Sequence, residues 1–461
     1  MNSGDNTSFS NLEWLQGEAP GFSLSGDQVK VLFTPEEFYN ALLEGCHRGR
    51  SRIMLAALYI GMGTLEHKLV EVLDERLADR GEDLQVSVLL DAVRDSRDRS
   101  ARSTLLPLIR KHPHCQVSLY HTPELRGLWL RLLPPKVNEA IGIQHIKIYV
   151  FDDDIIISGA NLTKEYFTNR QDRYMLVSGC GALADFCAGL ITRLSSVSLR
   201  LTVDGELLPI LPHLHPTLAP VGQYEQHARD IVWGYYKQAL AQGSTHFKPG
   251  DDTWVFPLLQ LPPLMVLQDS SVTQAILESV GPQTIVQLAS PYFNLPENYI
   301  SSFLHKCKAK FDILIPHPSA NDFFGARGFA GQIPWLYSAL TGRFLHSVHD
   351  AGQDTRFRVA EFARPGSSYH CKGVWLTARD ADSPYLTIVG SSNFNHRSVK
   401  RDLECQMVVV TNNPSLRNSL REETQRLYRH GMVFTQDVAL RPDRKPKLWH
   451  HLFLWLFKGY F

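Results

Sequence analysis

The chain has 461 residues, enough for two or three domains, and its 44% hydrophobic and 20% charged content is that of a globular protein. Lys plus Arg equals Asp plus Glu at 47 each, which excludes the whole-chain basic field of a nucleic-acid binder but leaves room for a local cationic site. Seven scattered cysteines without a CxxC pair read as reduced thiols, and no apolar run reaches the ~20 residues that span a bilayer.

The first 29 residues contain no Lys or Arg but carry Asp5, Glu13, Glu18 and Asp27, the opposite of an Arg-rich targeting peptide, so a disordered or loosely docked extension is expected. A helix should begin at "TPEEF", with Thr34 as N-cap, Pro35 at the first position and Glu37 completing a capping box. Strands are expected at 51–61, 84–91, 115–123 and 145–161, interleaved with helices such as "TLEHKLVEVLDERLADRG". From residue 269 the order returns: a helix ending at Gly281 and Pro282, then strands at 284–293, 311–318, 356–362 and 369–394. This divides the chain into an extension (1–29), a first domain (30–199), a connector (200–265), a second domain (266–435) and a tail (436–461).

The two copies agree in register. His145 and Lys147 are two residues apart, as are His370 and Lys372. Asn161 precedes Asp172 by eleven residues, and Asn393 precedes Glu404 by eleven. Met175 and Val177 lie fourteen and sixteen past the first asparagine, and Met407 and Val409 hold the same places past the second. The His-to-Asn interval differs, sixteen against twenty-three, and the turn "ARDADSP" absorbs the excess. Residues i and i+2 of a strand share a face, so each copy presents His and Lys on one side. A lone HxK is an ordinary strand feature; two matched sets point to a duplicated α/β unit whose histidines meet in one cleft about a pseudo-two-fold axis.

Those residue types suit phosphoryl chemistry. Two histidines, expected to titrate near neutral pH, supply a nucleophile and a proton donor. Lysines and asparagines can hold the charge on equatorial phosphoryl oxygens. Asp172 and Glu404 can each take an Nδ1 proton and free Nε2 to attack, the logic of a catalytic triad. The consequence is transfer through a phosphohistidine, in two displacements and without metal or cofactor, because "FDDD" at 151–154 is the only acidic knot near the motif. Asp152 within it reads as a strand-tying residue.

These residues resemble the phospholipase D superfamily, whose signature is HxK, four residues, D, then Gly/Ser-x-Asn. The first copy matches through His145, Lys147, Asp152, Gly159 and Asn161; the second keeps His370, Lys372, Gly390, Ser391 and Asn393 but has Thr377 at the aspartate position. Residues 30–435 are similar to the eukaryotic phosphatidylglycerophosphate synthase family, through "LYIGMGTLEHKLVEVLDERL", "GANLTKEYFTNRQDRY", "GARGFAGQIPWLY" and "GSSNFNHRSVKRDLECQ". The resemblance implies two tandem α-β-α sandwich domains with one active site at their interface. It further implies CDP-diacylglycerol and glycerol 3-phosphate as substrates, His145 as nucleophile, His370 as base and a place at the mitochondrial inner membrane.

A phosphorylated acceptor requires a second cationic subsite. Candidates are Arg94, Arg97, Arg170, Arg173, Arg327, Arg397 and Arg401, with Arg170 and Arg397 nearest the motifs and Ser391 beside them. "LRGLWLRLLPPK" reads as a membrane-dipping loop, through Leu128, Trp129 and Leu132, or an amphipathic loop packed on the body, and the tail "LWHHLFLWLFKGYF" as a second membrane contact at Trp455 or a helix docked on the core. Serine or water as acceptor, and a catalytically dead membrane scaffold, are the rival readings. The sequence leaves open whether copies associate into a homo-oligomer.

Overall fold

In the computed structural model the described residues are 12–132, 135–243 and 250–442, with Arg444 and Gly459 besides. They build two mixed sheets. The first runs in the order Leu207–Pro209, Leu199–Leu201, Gln116–Tyr120, Gln85–Asp91, Arg52–Ala56, Ile148–Phe151, Asp154–Ser158, Tyr174–Val177 and Val29–Leu32. The second runs Gly431–Val433, Phe357–Phe362, Lys310–Pro316, Thr284–Ala289, Gly373–Ala378, Leu386–Gly390, Glu404–Thr411, Thr253–Leu261 and Phe22–Leu24. Matched from Val29–Leu32 against Thr253–Leu261 onward, the sheets correspond strand for strand as far as Leu199–Leu201 against Gly431–Val433, and Leu207–Pro209 has no counterpart.

The local chemistry explains the pattern. Helices Thr64–Arg80 and Ser100–Lys111 carry the chain back between Arg52–Ala56, Gln85–Asp91 and Gln116–Tyr120, which therefore pair in parallel. Their apolar stripes, Leu69, Leu73 and Leu77 on one and Leu105 and Leu108 on the other, cover the outer face of the first sheet in a cluster of its own. The inner layer is shared. Helix Gly181–Ser196 buries Leu183, Leu190, Ile191 and Leu194 in a cluster that also takes Val255, Leu258, Leu288 and Val374 from the second half. A polar clamp crosses the same boundary. Arg173 is fully buried, donates to both Glu423 carboxylate oxygens at 2.9 Å and to the Ile388 carbonyl, and stacks 3.8 Å over Trp375.

Several expectations need correction. Residues 145–161 form a hairpin, Ile148–Phe151 and Asp154–Ser158, turned at Asp152 with φ 51°; His145 and Lys147 lie in the extended approach to it. Thr34 caps helix Pro35–Arg48 as read, but the Glu37 carboxylate accepts from Phe33 N at 2.8 Å, one residue before the cap. The N-terminal extension is not loosely docked over its described part. Leu15 and Ala19 are buried, and Phe22–Leu24 pairs with Thr253–Val255. Part of the expected connector belongs to the sheets: Leu207–Pro209 pairs with Leu199–Leu201, and Thr253–Leu261 is a wholly buried strand against Glu404–Thr411. Burial on both faces removes the polar alternation that would have revealed it. Helix Gly127–Leu132 includes Leu132, 65% exposed, while the side chains of Leu128 and Trp129 and the whole of Trp455 lie outside the described residues. Among the described residues no helix is long and apolar enough to cross a membrane.

Candidate active site

The two motifs meet where the halves join. Ser368–Tyr369 pairs in parallel with Arg170–Gln171, and Gln144 bridges to Leu403, so each histidine follows a backbone ladder to the opposite half. His145 N donates to the Leu403 carbonyl at 2.8 Å, one residue before Glu404. His370 N donates to the Gln171 carbonyl at 2.8 Å, one residue before Asp172. The side chains follow the backbone. His145 Nδ1 lies 2.9 Å from Glu404 Oε2, and His370 Nδ1 lies 2.6 Å from Asp172 Oδ2. Each imidazole is thus held by a carboxylate from the other repeat. Both rings and both acids are buried.

The lysines brace these pairs. Lys147 Nζ donates to the His145 carbonyl at 2.8 Å, and Lys372 Nζ to the His370 carbonyl at 2.9 Å while standing 3.6 Å from Asp172 Oδ2. Asn161 Oδ1 accepts from Leu58 N at 3.3 Å; Asn393 Oδ1 is buried with no partner among the described residues. Gly159 is a steric requirement. A Cβ there would stand 2.8 Å from both Asp172 Oδ1 and Lys372 Nζ.

Burial sets the charges. Desolvation, then the Lys147 ammonium, pushes His145 well below the ordinary imidazole range; desolvation, then Lys372, Arg170 and Lys147, does the same to His370. The expectation that both titrate near neutrality is corrected accordingly: buried among cations, both rings are neutral there. Burial raises Asp172 to about 6 against the opposing pull of Lys372, so it is ionised at pH 7 and accepts the Nδ1 proton. Burial also raises Glu404, opposed by Lys147. The Glu404 bond leaves the lone pair of His145 on Nε2, and the 2.6 Å bond to ionised Asp172 assigns the same tautomer to His370, where Lys372 Nζ also stands 2.8 Å from Nδ1 and 3.4 Å from Nε2.

Comparison with known proteins follows this geometry. Relatives named mitochondrial CDP-diacylglycerol–glycerol-3-phosphate 3-phosphatidyltransferase, from Gallus gallus and Homo sapiens, are each 37% identical over 98% of this chain and 86% of their own length. The Saccharomyces cerevisiae relative of that name is 30% identical over 92% of the chain and 86% of its own length. The chain belongs to the CDP-diacylglycerol–glycerol-3-phosphate 3-phosphatidyltransferase family. The crystal structure of a phosphatidylserine synthase from Haemophilus influenzae superposes with a TM-score of 0.73 at 20% identity, covering 98% of this chain and 99% of that one, and so shares the fold. No family model matches.

In this member of the phosphatidyltransferase family the candidate arginines divide into three groups. Arg170 and Arg397 stand in the field of the histidines: Arg170 acts on His370 and pairs with Asp322 at 2.9 Å, and Arg397 acts on His145 and pairs with Asp402 at 2.9 Å. Arg94 is paired with Asp98 at 2.8 Å and stands 4.1 Å over the Tyr59 ring, and Arg97 reaches Glu139 at 3.4 Å. Arg173 is the inter-half clamp and Arg401 donates to backbone carbonyls, so neither is an anion site; Arg327 is exposed between two left-handed glycines, Gly325 and Gly328. Ser391 is also structural, exchanging hydrogen bonds with the backbone of Cys405.

Asp152 is corrected as a catalytic candidate. It sits at the hairpin turn, across the strand Ile148–Phe151 from Lys147, and accepts from the backbone of Arg50, Ser51 and Arg52. Burial opposes its charge, but those bonds outweigh it and hold the carboxyl below its usual value. His145, Asp402 and Glu404 bring ligand atoms within 4.8 Å of one another. Arg397, Ser398 and the imidazole already engage those carboxylates, and the Arg397 guanidinium opposes a cation there.

Sequence reasoning missed Tyr166, whose hydroxyl lies 3.1 Å from His370 Nε2, and Tyr292, whose ring stands edge-on to His370 at 5.9 Å. A signal was present for the first. Tyr166 and Ser398 both follow their asparagine by five residues, on the matched helices Lys164–Thr168 and His396–Lys400.

Proposed function

We propose that this chain transfers the phosphatidyl group of CDP-diacylglycerol to the hydroxyl of glycerol 3-phosphate, through a phosphatidyl-histidine. The observation that carries the reading is the crossed pair of His–carboxylate hydrogen bonds, which leaves two neutral imidazoles at one junction, each with its Nε2 as the basic nitrogen. His145 Nε2 attacks the lipid-side phosphorus and CMP leaves. Glu404 accepts the Nδ1 proton and stabilises the imidazolium that the new N–P bond creates. Lys147, Lys372 and the amides of Asn161 and Asn393 surround the phosphoryl oxygens. In the second step His370 Nε2 takes the proton of the acceptor hydroxyl, the O–P bond forms and the N–P bond breaks. His145 is assigned as nucleophile because no hydrogen bond to its Nε2 is found among the described residues, whereas His370 Nε2 already accepts from Tyr166.

The acceptor's phosphate is assigned to Arg170 and Arg397, whose guanidinium groups it would take over from Asp322 and Asp402. The second half-reaction distinguishes this reading from a serine transferase, because serine offers these arginines no phosphate. The names of the relatives support a mitochondrial setting, and exposed Leu132 supports a peripheral contact with the inner membrane.

The test is purified protein with radiolabelled CDP-diacylglycerol and, separately, glycerol 3-phosphate, serine or water alone. Phosphatidylglycerophosphate and CMP in the first arm, with acid-labile label on His145 when the acceptor is withheld, are expected. Phosphatidylserine as the main product, or label on neither histidine, would falsify the assignment.

A further inference from the structure

The nitrogen assigned to deprotonate the acceptor already has an occupant. The Tyr166 hydroxyl lies 3.1 Å from His370 Nε2, and the two rings meet edge-on with centroids 5.0 Å apart. Asp172 holds the proton on Nδ1, so Nε2 is the acceptor and the phenol is the nearer donor, with Lys372 Nζ farther off at 3.4 Å. Burial pushes the Tyr166 hydroxyl well above its ordinary pKa, which keeps it a donor throughout the working range. A hydroxyl donating to this lone pair is the arrangement the acceptor itself must adopt before proton transfer.

Tyr166 is also tied to the candidate phosphate site. The Arg170 guanidinium lies 4.7 Å over its ring and pairs with Asp322, which in turn accepts from the Tyr292 hydroxyl at 3.0 Å. A phosphate drawing Arg170 away from Asp322 therefore moves the group stacked on Tyr166. The other repeat lacks this device. Its matched residue, Ser398, donates to Glu404 Oε1 at 2.8 Å instead of reaching a ring nitrogen.

We propose that Tyr166 is a positioning residue that caps the His370 base against water and yields to the acceptor hydroxyl when the acceptor's phosphate engages Arg170. The inference rests on the phosphatidyl-transfer reading above. In the productive step the acceptor's proton passes to His370 Nε2, its oxygen bonds to phosphorus, and the N–P electron pair returns to His145. Hydrolysis is the same step with water, and it yields phosphatidic acid. Water carries no phosphate for Arg170 and meets a base whose lone pair is taken.

The experiment uses the full chain with radiolabelled CDP-diacylglycerol in detergent micelles, and measures phosphatidic acid against phosphatidylglycerophosphate. Tyr166→Phe, which removes one oxygen, is expected to raise that ratio about fivefold, the worth of one neutral hydrogen bond. An independent arm keeps the wild-type protein. Methyl phosphate, an anion without a hydroxyl, is expected to speed acceptor-free release of phosphatidic acid about threefold by drawing on Arg170. If Tyr166→Phe leaves the ratio unchanged, or lowers both products equally, the cap is overturned while the transferase reading stands. An inert methyl phosphate overturns the coupling to Arg170. A wild type that forms no phosphatidylglycerophosphate overturns the underlying reading instead.

Discussion

His145 and His370 are held alike and surrounded differently. Each gives its Nδ1 to an acid of the opposite repeat and its backbone N–H to the carbonyl just before that acid. Around His370 stand Tyr166, Tyr292 and the Arg170–Asp322 pair; around His145 stand the Arg397–Asp402 pair and Ser398, the last serving Glu404. Duplication has kept the groups that fix the tautomer and varied those that face the reacting atoms. The frame sets what an imidazole can do, and the surroundings decide which of two equal imidazoles does what.

Breaking the comparison outright gives the largest effect. His145→Ala should lower transfer by about 10⁴-fold and abolish labelled adduct, because the nucleophile is gone. His370→Ala should instead release close to one equivalent of CMP and hold the label on the protein, since CMP leaves without help from a second histidine. A quench and autoradiograph separates the two, and the reverse pattern would exchange their roles.

Gly159→Ala sharpens the comparison by disturbing one frame alone. Its methyl would crowd Asp172 and Lys372, which hold His370, and the atoms nearest to it do not include Glu404. Transfer is expected to fall about 10²-fold while adduct formation from CDP-diacylglycerol persists, as read by rapid quench with and without acceptor.

Acid should act next, through Asp172. With its carboxyl raised to about 6, protonation below that pH removes the ionised acceptor for the His370 Nδ1 proton, and the rate should drop about tenfold per pH unit. The stability term has the opposite sign. The folded carboxyl binds its proton more readily than an unfolded one near pH 4, so at this group acidification from 6 toward 4 favours the folded state. Rate should therefore fall between pH 6.5 and 5 without a drop in melting temperature traceable to Asp172, which parallel activity and thermal-melt series will check.

Asp152→Ala should show the smallest effect on chemistry. Loss of its bonds to the 50–52 backbone, with alanine left at φ 51°, should cost about 2 kcal/mol of stability and leave the rate per folded molecule within about twofold.

The architecture was largely legible because the repeat preserved register: His, Lys, Asn and the acid recur at fixed or explicable intervals, and the structure brings the histidines, lysines and acids of both copies to one junction. The crossing was not legible. Spacing shows that an acid follows each asparagine by eleven residues, but nothing in one dimension says that it serves the other copy's histidine. Strand Thr253–Leu261 escaped because burial on both faces erases alternation, and Phe22–Leu24 because its partner lies more than two hundred residues away. Tyr166 escaped because its hydroxyl acts across the junction: its place five residues past Asn161, matched by Ser398 past Asn393, marks the position but not the partner. The arginines were over-counted. Arg173 lies beside Asp172 yet turns to Glu423, since its role is to join the halves.

The exchange of carboxylates between the repeats has a corollary. One repeat alone owns an imidazole without its acid and an acid without its imidazole, so it can do this chemistry only by meeting a second copy face to face. Carrying both repeats in a single polypeptide makes that encounter internal and fixes its stoichiometry. Because the two partners need not be identical, a tyrosine can stand on one side of the seam and a serine on the other, and a symmetric frame supports an asymmetric catalyst.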